Sequence, residues 1–425
     1  VRAKFSWKAD SAFQHFALWA PGNPEGPAIW SYAMTDALLS LNAGSSSVKF
    51  AVREQGDNAP ILLSGTVDRI GSGDAAMTLK APGCEPDTKA LGSLDPRRAV
   101  EALCAEIQAR RPDLSIRGVG HRIVHGATRF TDPTTITPEV VAALEELVPL
   151  APLHQPHGIQ GIRTALSLYP EAVHVACFDT AFHTGKPWVH DAFALPRHYY
   201  DEGVRRYGFH GLACESVCDG LSADGYPLCE RAIVIAHLGN GCSVTAVQNG
   251  RCVATSMGFS ALDGLAMGTR CGRLDPGVLL HLLRSGHDTA SLETLLYKQS
   301  GLLGLSGFSN DMRDLACSDT EHARSAIAFF VERAVEDICR MAGAMRGLDC
   351  VVFSGGIGEN ASDIREQVTA GLAFLPGRDG SGVDIRVQSA DEESQLLPIS
   401  AKPIHRTAET VGRPDNLWGR RLTRL

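Results

Sequence analysis

From Ala37 onward the chain alternates short apolar runs of strand length with longer segments of helical spacing. ALLSLNAG (37–44), SVKFAVRE (47–54), GVGHRIVHG (118–126), AVHVACFDTAF (172–182), AIVIAHLGNG (232–241), SVTAVQNG (243–250) and CVVFSGG (350–356) read as strands bounded by small polar residues. EVVAALEELVPLA (139–151), HGIQGIRTALSLY (157–169) and HARSAIAFFVERAVEDICRMAGAM (322–345) carry apolar residues at helical intervals, and the last is long enough to pack across a sheet. Alternating strands and helices predict an α/β fold. The first 33 residues show neither period, and Pro21, Pro24 and Pro27 with Gly22 and Gly26 interrupt any element there. Residues 1–35 are therefore expected to be a disordered N-terminal extension, with Met34 as the natural start.

One pattern recurs. AIVIAHLGNGCSVTAVQNGRCV (232–253) repeats the scheme of ALLSLNAGSSSVKFAVREQGD (37–57): strand, glycine-rich polar turn, strand. Such a unit in each half predicts two similar domains facing each other across a cleft, both turns pointing into it. Two unrelated hairpins are the alternative that so short a similarity leaves open.

Length and charge narrow the picture. A single core stops growing beyond about 250–300 residues, so 425 residues with 44% hydrophobic content predict more than one. A net charge of −8 argues against nucleic acid or an anionic membrane as partner and favours a small metabolite. The twelve cysteines form no C-x-x-C pair and no zinc-spaced cluster, which reads as reduced thiols in a cytoplasmic protein. No apolar run reaches the ~20 residues of a spanning helix.

Chemistry concentrates at the strand ends. In NAGSSSVKF a plain turn explains Gly44, but three serines beside Lys49 also offer N–H groups, hydroxyls and a cation to a phosphate. SGGIGEN (354–360) places glycines between a strand and a helix start, where backbone can approach a ligand. Arg122 and Asp179 end predicted strands; an arginine fork suits a carboxylate or phosphate, and an acid there suits catalysis or a metal. A salt bridge is the structural alternative for the arginine, and a backbone-satisfied core ring is the alternative for His210 in RRYGFHG. GLAMGTRCGRLDPG is too glycine-rich for a helix and too charged for a core, which marks Arg270 as a site residue. No G-x-x-x-x-G-K-[ST] loop occurs.

Nine motifs in order, NAGSSSVKF, GHRIVHG, APLHQPHG, FDTAFH, RRYGFHG, HLGNG, MGTRCG-x-LDPG with Arg273 at x, SGLLGLSG followed by DMRDL, and SGGIGEN, resemble the acetate kinase family over about residues 41–371. The resemblance implies two duplicated actin-like (ribonuclease H-like) domains facing a nucleotide cleft. Residues 36–181, joined by about 390–425, would form the first, and 182–389 the second with the adenine-binding loops. It implies reversible transfer from MgATP to acetate, giving acetyl phosphate and ADP, with Mg²⁺ (or Mn²⁺) as metal and a homodimer as assembly. It implies Asp179, His210 and Arg270 as catalytic residues and Arg122 as the partner of the substrate carboxylate. Ser45, Ser47 and Lys49 would lie along the phosphate path. His237, Leu238, Gly239, Asn240, Gly241, Asp311, Met312, Arg313, Gly356, Ile357, Gly358, Glu359 and Asn360 would bind ATP, and Asn42 and Glu392 would sit at the metal. A propionate- or butyrate-type kinase and a catalytically impaired nucleotide-binding paralogue are the alternatives.

Two places depart from the family pattern. After YGFHG the residues are Leu212, Ala213 and Cys214 instead of Thr-Ser-His. Near the C-terminus, where the family has a strand and then an acidic helix start, two registers compete. ADEE (390–393) keeps a carboxylate at Glu392, although Pro398 soon breaks its helix. QLLPISA as strand and PIHRTAETVG as helix would put Lys402 and Pro403 in its place. Glu392 is the expected metal-side acid.

Overall fold

Two antiparallel hairpins organise the molecule, one at the start of each sheet. In the computed structural model, which describes residues 34–56 and 59–397, Thr35–Ala43 (β1) turns at Gly44–Ser46 into Ser47–Glu54 (β2), with Ala43 opposite Val48. Ala232–Leu238 (β9) turns at Gly239–Gly241 into Cys242–Gln248 (β10), with Leu238 opposite Cys242. The expectations for residues 1–33 and for the segment beyond Leu397 lie outside the described residues.

Ile61–Asp68 (β3), Ala75–Lys80 (β4), Asp87–Gly92 (β5), Leu114–Ile123 (β6), Thr134–Thr135 (β7) and Val173–Phe178 (β8) complete the first sheet, in the order β5-β4-β3-β2-β1-β6-β8-β7. Arg251–Thr255 (β11), Cys350–Ser354 (β12) and Asp384–Val387 (β13) complete the second among the described residues, in the order β11-β10-β9-β12-β13. The block β3-β2-β1-β6-β8 repeats as β11-β10-β9-β12-β13. In each, the first three strands are antiparallel neighbours, and the third then runs parallel to the fourth, and the fourth to the fifth. The fold is thus a duplicated actin-like α/β architecture, as the repeated sequence scheme predicts.

Both faces of the second sheet are covered, which is why β9 reads as an unbroken apolar run rather than an alternating one. Val234, Ala236 and Leu238 share a core with Ala326, Phe330, Ala334, Ile338 and Met341 of the helix Glu321–Met345. On the opposite face Ile233, Ile235 and Val352 pack with Cys214, Val217 and Leu221 of the helix Gly211–Ala223. The family-divergent Cys214 is thereby a core residue, with its thiol 3.7 Å from the Thr245 hydroxyl. In the first sheet Leu39, Leu41, Phe50 and Val52 pack with Val100, Leu103 and Ile107 of the helix Pro96–Arg110. The helix Gln155–Leu168 covers β6 and β1, and a Cβ on its Gly161 would stand 2.8 Å from that of Ala43. Among the described residues no helix is long and apolar enough to cross a membrane, and all twelve cysteines are free.

Several strands were not expected. β10 ends at Asn249-Gly250, both at positive φ, which closes it on β11 as a two-residue hairpin. The C-terminal register is settled by β13, which runs parallel to β12 and precedes the short helix Glu392–Gln395. The competing register fails because Gln395, which it makes the start of a strand, is helical; Lys402 and Pro403 lie outside the described residues. Asp391 caps this helix by accepting from the Ser394 N–H at 3.0 Å.

The segment after Glu392 returns to the first sheet. A Cβ on Gly120 of β6 would lie only 1.4 Å from the Leu396 carbonyl oxygen, so only glycine allows the backbones to meet. Gly120→Ala is expected to displace Asp391–Leu397 and lower stability by about 1–3 kcal/mol or more. Urea unfolding with limited proteolysis of that segment checks this; an unchanged midpoint and cleavage pattern would contradict it.

Candidate active site

The parallel strands of both sheets deliver their carboxyl ends to one region, the usual position for a ligand in open α/β sheets. β1 brings Asn42, β6 brings Arg122, and the residue after β8 is Asp179. Arg122 binds Asp179 as a fork: Nε donates to Oδ1 and Oδ2 at 3.0 and 3.2 Å, and Nη2 to Oδ2 at 2.7 Å. Its remaining nitrogen, Nη1, lies 3.4 Å from Asn42 Oδ1 and 3.5 Å from Glu392 Oε2. The salt bridge weighed for Arg122 therefore exists, yet one corner of the guanidinium stays turned toward the oxygens of Asn42 and Glu392.

Burial and pairing set the charges. Burial works against the Arg122 cation, but the Asp179 and Glu392 carboxylates outweigh it and hold its pKa above the ordinary value. Burial raises the Asp179 carboxyl, with Arg122 pulling against it. At Glu392 burial again opposes the charge, and Arg122, His237 and Lys49 together hold the carboxyl below its ordinary value.

His210 stands at the start of the helix Gly211–Ala223 with φ +59°, a left-handed conformation rare outside glycine. Its placement is fixed by the next residue. Gly211 N–H donates to the Asp179 carbonyl at 2.8 Å, and a Cβ there would fall 2.3 Å from that oxygen. His210 Nδ1 is 3.1 Å from the Ser243 hydroxyl, and its ring lies 4.9 Å from that of His237 at the end of β9. Burial first, then His237, Arg122 and Arg270, hold the His210 pKa well below the ordinary value, so the ring is neutral at pH 7. The Nδ1 of His237 is buried without a hydrogen-bond partner among the described residues.

Arg270 approaches from the loop between β11 and the helix Pro276–Arg284. Its Nη1 donates to the Ala261 carbonyl at 3.0 Å, and it has no ion-pair partner among the described residues. Burial lowers its pKa below the ordinary arginine value, an uncompensated cation held ready for an anion. Beside it lies a small cavity of about 20 Å³, lined by Val124, Leu153, His154, Phe209, Ala261 and Tyr297 among others.

The glycine-rich segments that follow β9 and β12 meet. A Cβ on Gly239 would stand 3.6 Å from the Gly356 N–H, and one on Gly268 would stand 2.2 Å from Asn240 Oδ1, itself 3.4 Å from Asn310 Nδ2. Glu359 accepts from Gly355 N–H at 2.9 Å, and Asn360 Nδ2 donates to the Gly356 carbonyl at 2.9 Å. These two side chains therefore shape the short helix Gly355–Asn360 that carries Gly358. Leu238 and Met312 are core residues that offer only backbone, and Ile357 packs against the same core. Asp311 caps the helix Met312–Ala316 and pairs with the largely exposed Arg313. Ser45 and Lys49 are exposed, and the Ser47 carbonyl accepts from Gly44 N–H at 2.8 Å.

Sequence reasoning passed over His154, Tyr297 and Ser243. APLHQPHG marked the neighbourhood of His154, whose pKa burial lowers to about 4 with help from Arg270 and Arg122. Ser243 lay inside a predicted strand, and only the pairing with β9 turns it toward His210.

Asn42 and Glu392 supply hard oxygen donors beside one arginine nitrogen, and no group of three His, Cys, Asp or Glu donors that could hold a metal occurs among the described residues. That sparse set fits a magnesium-like cation, which keeps its waters and binds phosphate oxygens rather than a complete protein cage.

Residues 37–395 match the Acetokinase family. The acetate kinase of Methylocella silvestris is 43% identical over 373 residues, covering 85% of this chain and 91% of that protein. The acetate kinase of Rhodopseudomonas palustris strain TIE-1 is 45% identical over 348 residues, covering 80% and 87%. Among solved structures, Porphyromonas gingivalis acetate kinase superposes with a TM-score of 0.76 at 34% identity, covering 85% of this chain and 98% of that one. A propionate kinase from Francisella tularensis gives 0.78 at 32% identity over the same shares.

The buried histidines make stability depend on pH. Burial lowers His125 and His154 to about 4 and His121 and His183 to about 3. An unfolded chain protonates them near 6.5, so it gains protons first and stability falls as pH drops from about 6.5 toward 4. Between pH 6.5 and 5 the loss should be about 1–2 kcal/mol per histidine. Urea unfolding across that range tests this; a flat profile would contradict it.

Proposed function

Because the chain belongs to the acetokinase family and is a phosphotransferase, we propose that it transfers the γ-phosphoryl group of ATP reversibly to acetate, giving acetyl phosphate and ADP. The observation that carries the choice of substrate is the cavity beside Arg270. It is apolar on the side of Val124, Leu153 and Phe209, and its volume of about 20 Å³ suits a methyl group. Arg270 borders it through Ala261, whose carbonyl accepts from Arg270 Nη1 at 3.0 Å, and both Arg270 and Arg122 act on His154 in its wall.

Acetate is already ionised at pH 7 and needs no general base. One of its oxygens attacks the γ-phosphorus; the new P–O bond forms as the bond to the bridging oxygen breaks, and ADP leaves with that electron pair. No proton moves. Positioning and charge neutralisation therefore carry the rate. Arg122 orients the carboxylate, Asp179 holds Arg122 in place, and Arg270 and neutral His210 donate to the phosphoryl oxygens as negative charge shifts across them. Lys49, with Ser45 and Ser47 at the hairpin tip, faces the phosphate chain. The segments His237–Gly241, Asp311–Arg313 and Gly356–Asn360, at a strand end and two helix starts, hold the nucleotide. Asn42 and Glu392 would hold Mg²⁺ (or Mn²⁺), which supplies charge neutralisation for the triphosphate when bound.

The first domain in this reading spans 36–181 with the segment from about 390, and the second 182–389. The homodimer has a surface available: the helix Pro276–Arg284 carries Val278, Leu279, Leu280, Leu282 and Leu283, and none of its residues is buried. Sedimentation of the purified chain should give twice the mass of one chain, and a monomer at micromolar concentration would reject this assembly.

A propionate-type kinase is the second reading, favoured by the likeness to the Francisella propionate kinase. Acyl phosphate trapped as the hydroxamate separates the two. With MgATP, kcat/KM for acetate should exceed that for propionate by about 10- to 200-fold, the discrimination one methylene allows. A preference for propionate would replace the substrate, and no acyl phosphate from folded, ATP-binding protein would overturn the reading.

A further inference from the structure

The ring of His210 has two nitrogens, and they meet different neighbours. A Cβ placed on Gly241 would lie 3.2 Å from His210 Nε2 and 3.8 Å from Arg270 Nη1, so both groups border the same spot in the HLGNG turn. The other nitrogen, Nδ1, meets the Ser243 hydroxyl at 3.1 Å.

Ser243 is fully buried on β10 and is the cross-strand partner of His237, whose ring meets that of His210 at a tilt with centroids 4.9 Å apart. Among the described residues its hydroxyl has a single hydrogen-bond partner, His210 Nδ1. A buried hydroxyl proton requires an acceptor, and in a neutral imidazole the ring nitrogen without hydrogen is one. Nδ1 thus accepts, and the ring proton must sit on Nε2. Burial keeps the ring neutral, and the groups facing it, His237 on β9, Arg122 at the end of β6, Arg270 and His183, act in the same direction.

We propose that Ser243 is a positioning residue that fixes His210 as its Nε2–H tautomer, aiming one N–H donor at the transferred phosphoryl group alongside Arg270. This rests on the reading of His210 as a phosphoryl donor given above. Without the hydroxyl the ring is free to take the Nδ1–H form, which would present a lone pair to a phosphate oxygen and repel it.

The test compares the full-length chain with Ser243→Ala, Ser243→Cys and His210→Ala, using isotope-labelled histidine and nitrogen–proton correlation near neutral pH with hydroxamate kinetics. The native protein should show the Nε2–H pattern. Ser243→Ala should show a mixed tautomer and about tenfold lower kcat, with KM for ATP within about twofold, and Ser243→Cys, a weaker donor of similar shape, should fall between. A native Nδ1–H pattern, or Ser243→Ala with unchanged tautomer and kcat, would overturn the proposal. Native turnover in His210→Ala would instead reject the role of His210, while the tautomer readings still decide what Ser243 does.

Discussion

The half-buried guanidinium of Arg122 is the constraint on which the site depends. It gathers Asp179 from the end of β8, Asn42 from the end of β1 and Glu392 from the C-terminal segment, three oxygen-bearing side chains that are far apart in sequence. A half-buried cation beside the fully buried Asp179 is tolerable only with such partners, and removing one would strand a charge. The C-terminal segment is held by the same logic, since it carries a carboxylate to Arg122 and its backbone fits against Gly120.

The second half answers with donors rather than acids. His237, His210 and Arg270 line the opposing side, and burial keeps the histidines neutral and leaves Arg270 without a carboxylate. Such an arrangement favours an anion that arrives with its own charge. A phosphoryl group moving between two oxygens is such an anion, and preorganised donors stabilise it without having to rearrange during the reaction.

Much of this was legible in the sequence. The strands β1, β2, β6, β8, β9, β10 and β12 are strongly apolar, and the residues closing them carry the chemistry because parallel strands end where ligands bind. β5 and β13 were not legible, as DTKALG and DIRV are exposed edge segments without an apolar face. The competing C-terminal registers could be resolved only by the pairing of β13 with β12, a contact between positions 350–353 and 384–387 that leaves no local periodic signal. Ser243 was hidden for a similar reason: a serine within a strand acquires meaning only when the register sets it beside His237. His125 shows the reverse case, a motif histidine whose ring packs against Tyr207 and Phe209 and fills the core.

The central claim is that the arginine fork, and not merely its charge, organises the site. Arg122→Lys keeps the charge and loses the two-pronged hold on Asp179. Measured together, acyl phosphate formation and ATP affinity distinguish the two contributions: turnover should fall by about 10² or more while the Kd for ATP stays within about threefold. Turnover within about tenfold of the native chain would show that charge alone suffices and would contradict the account.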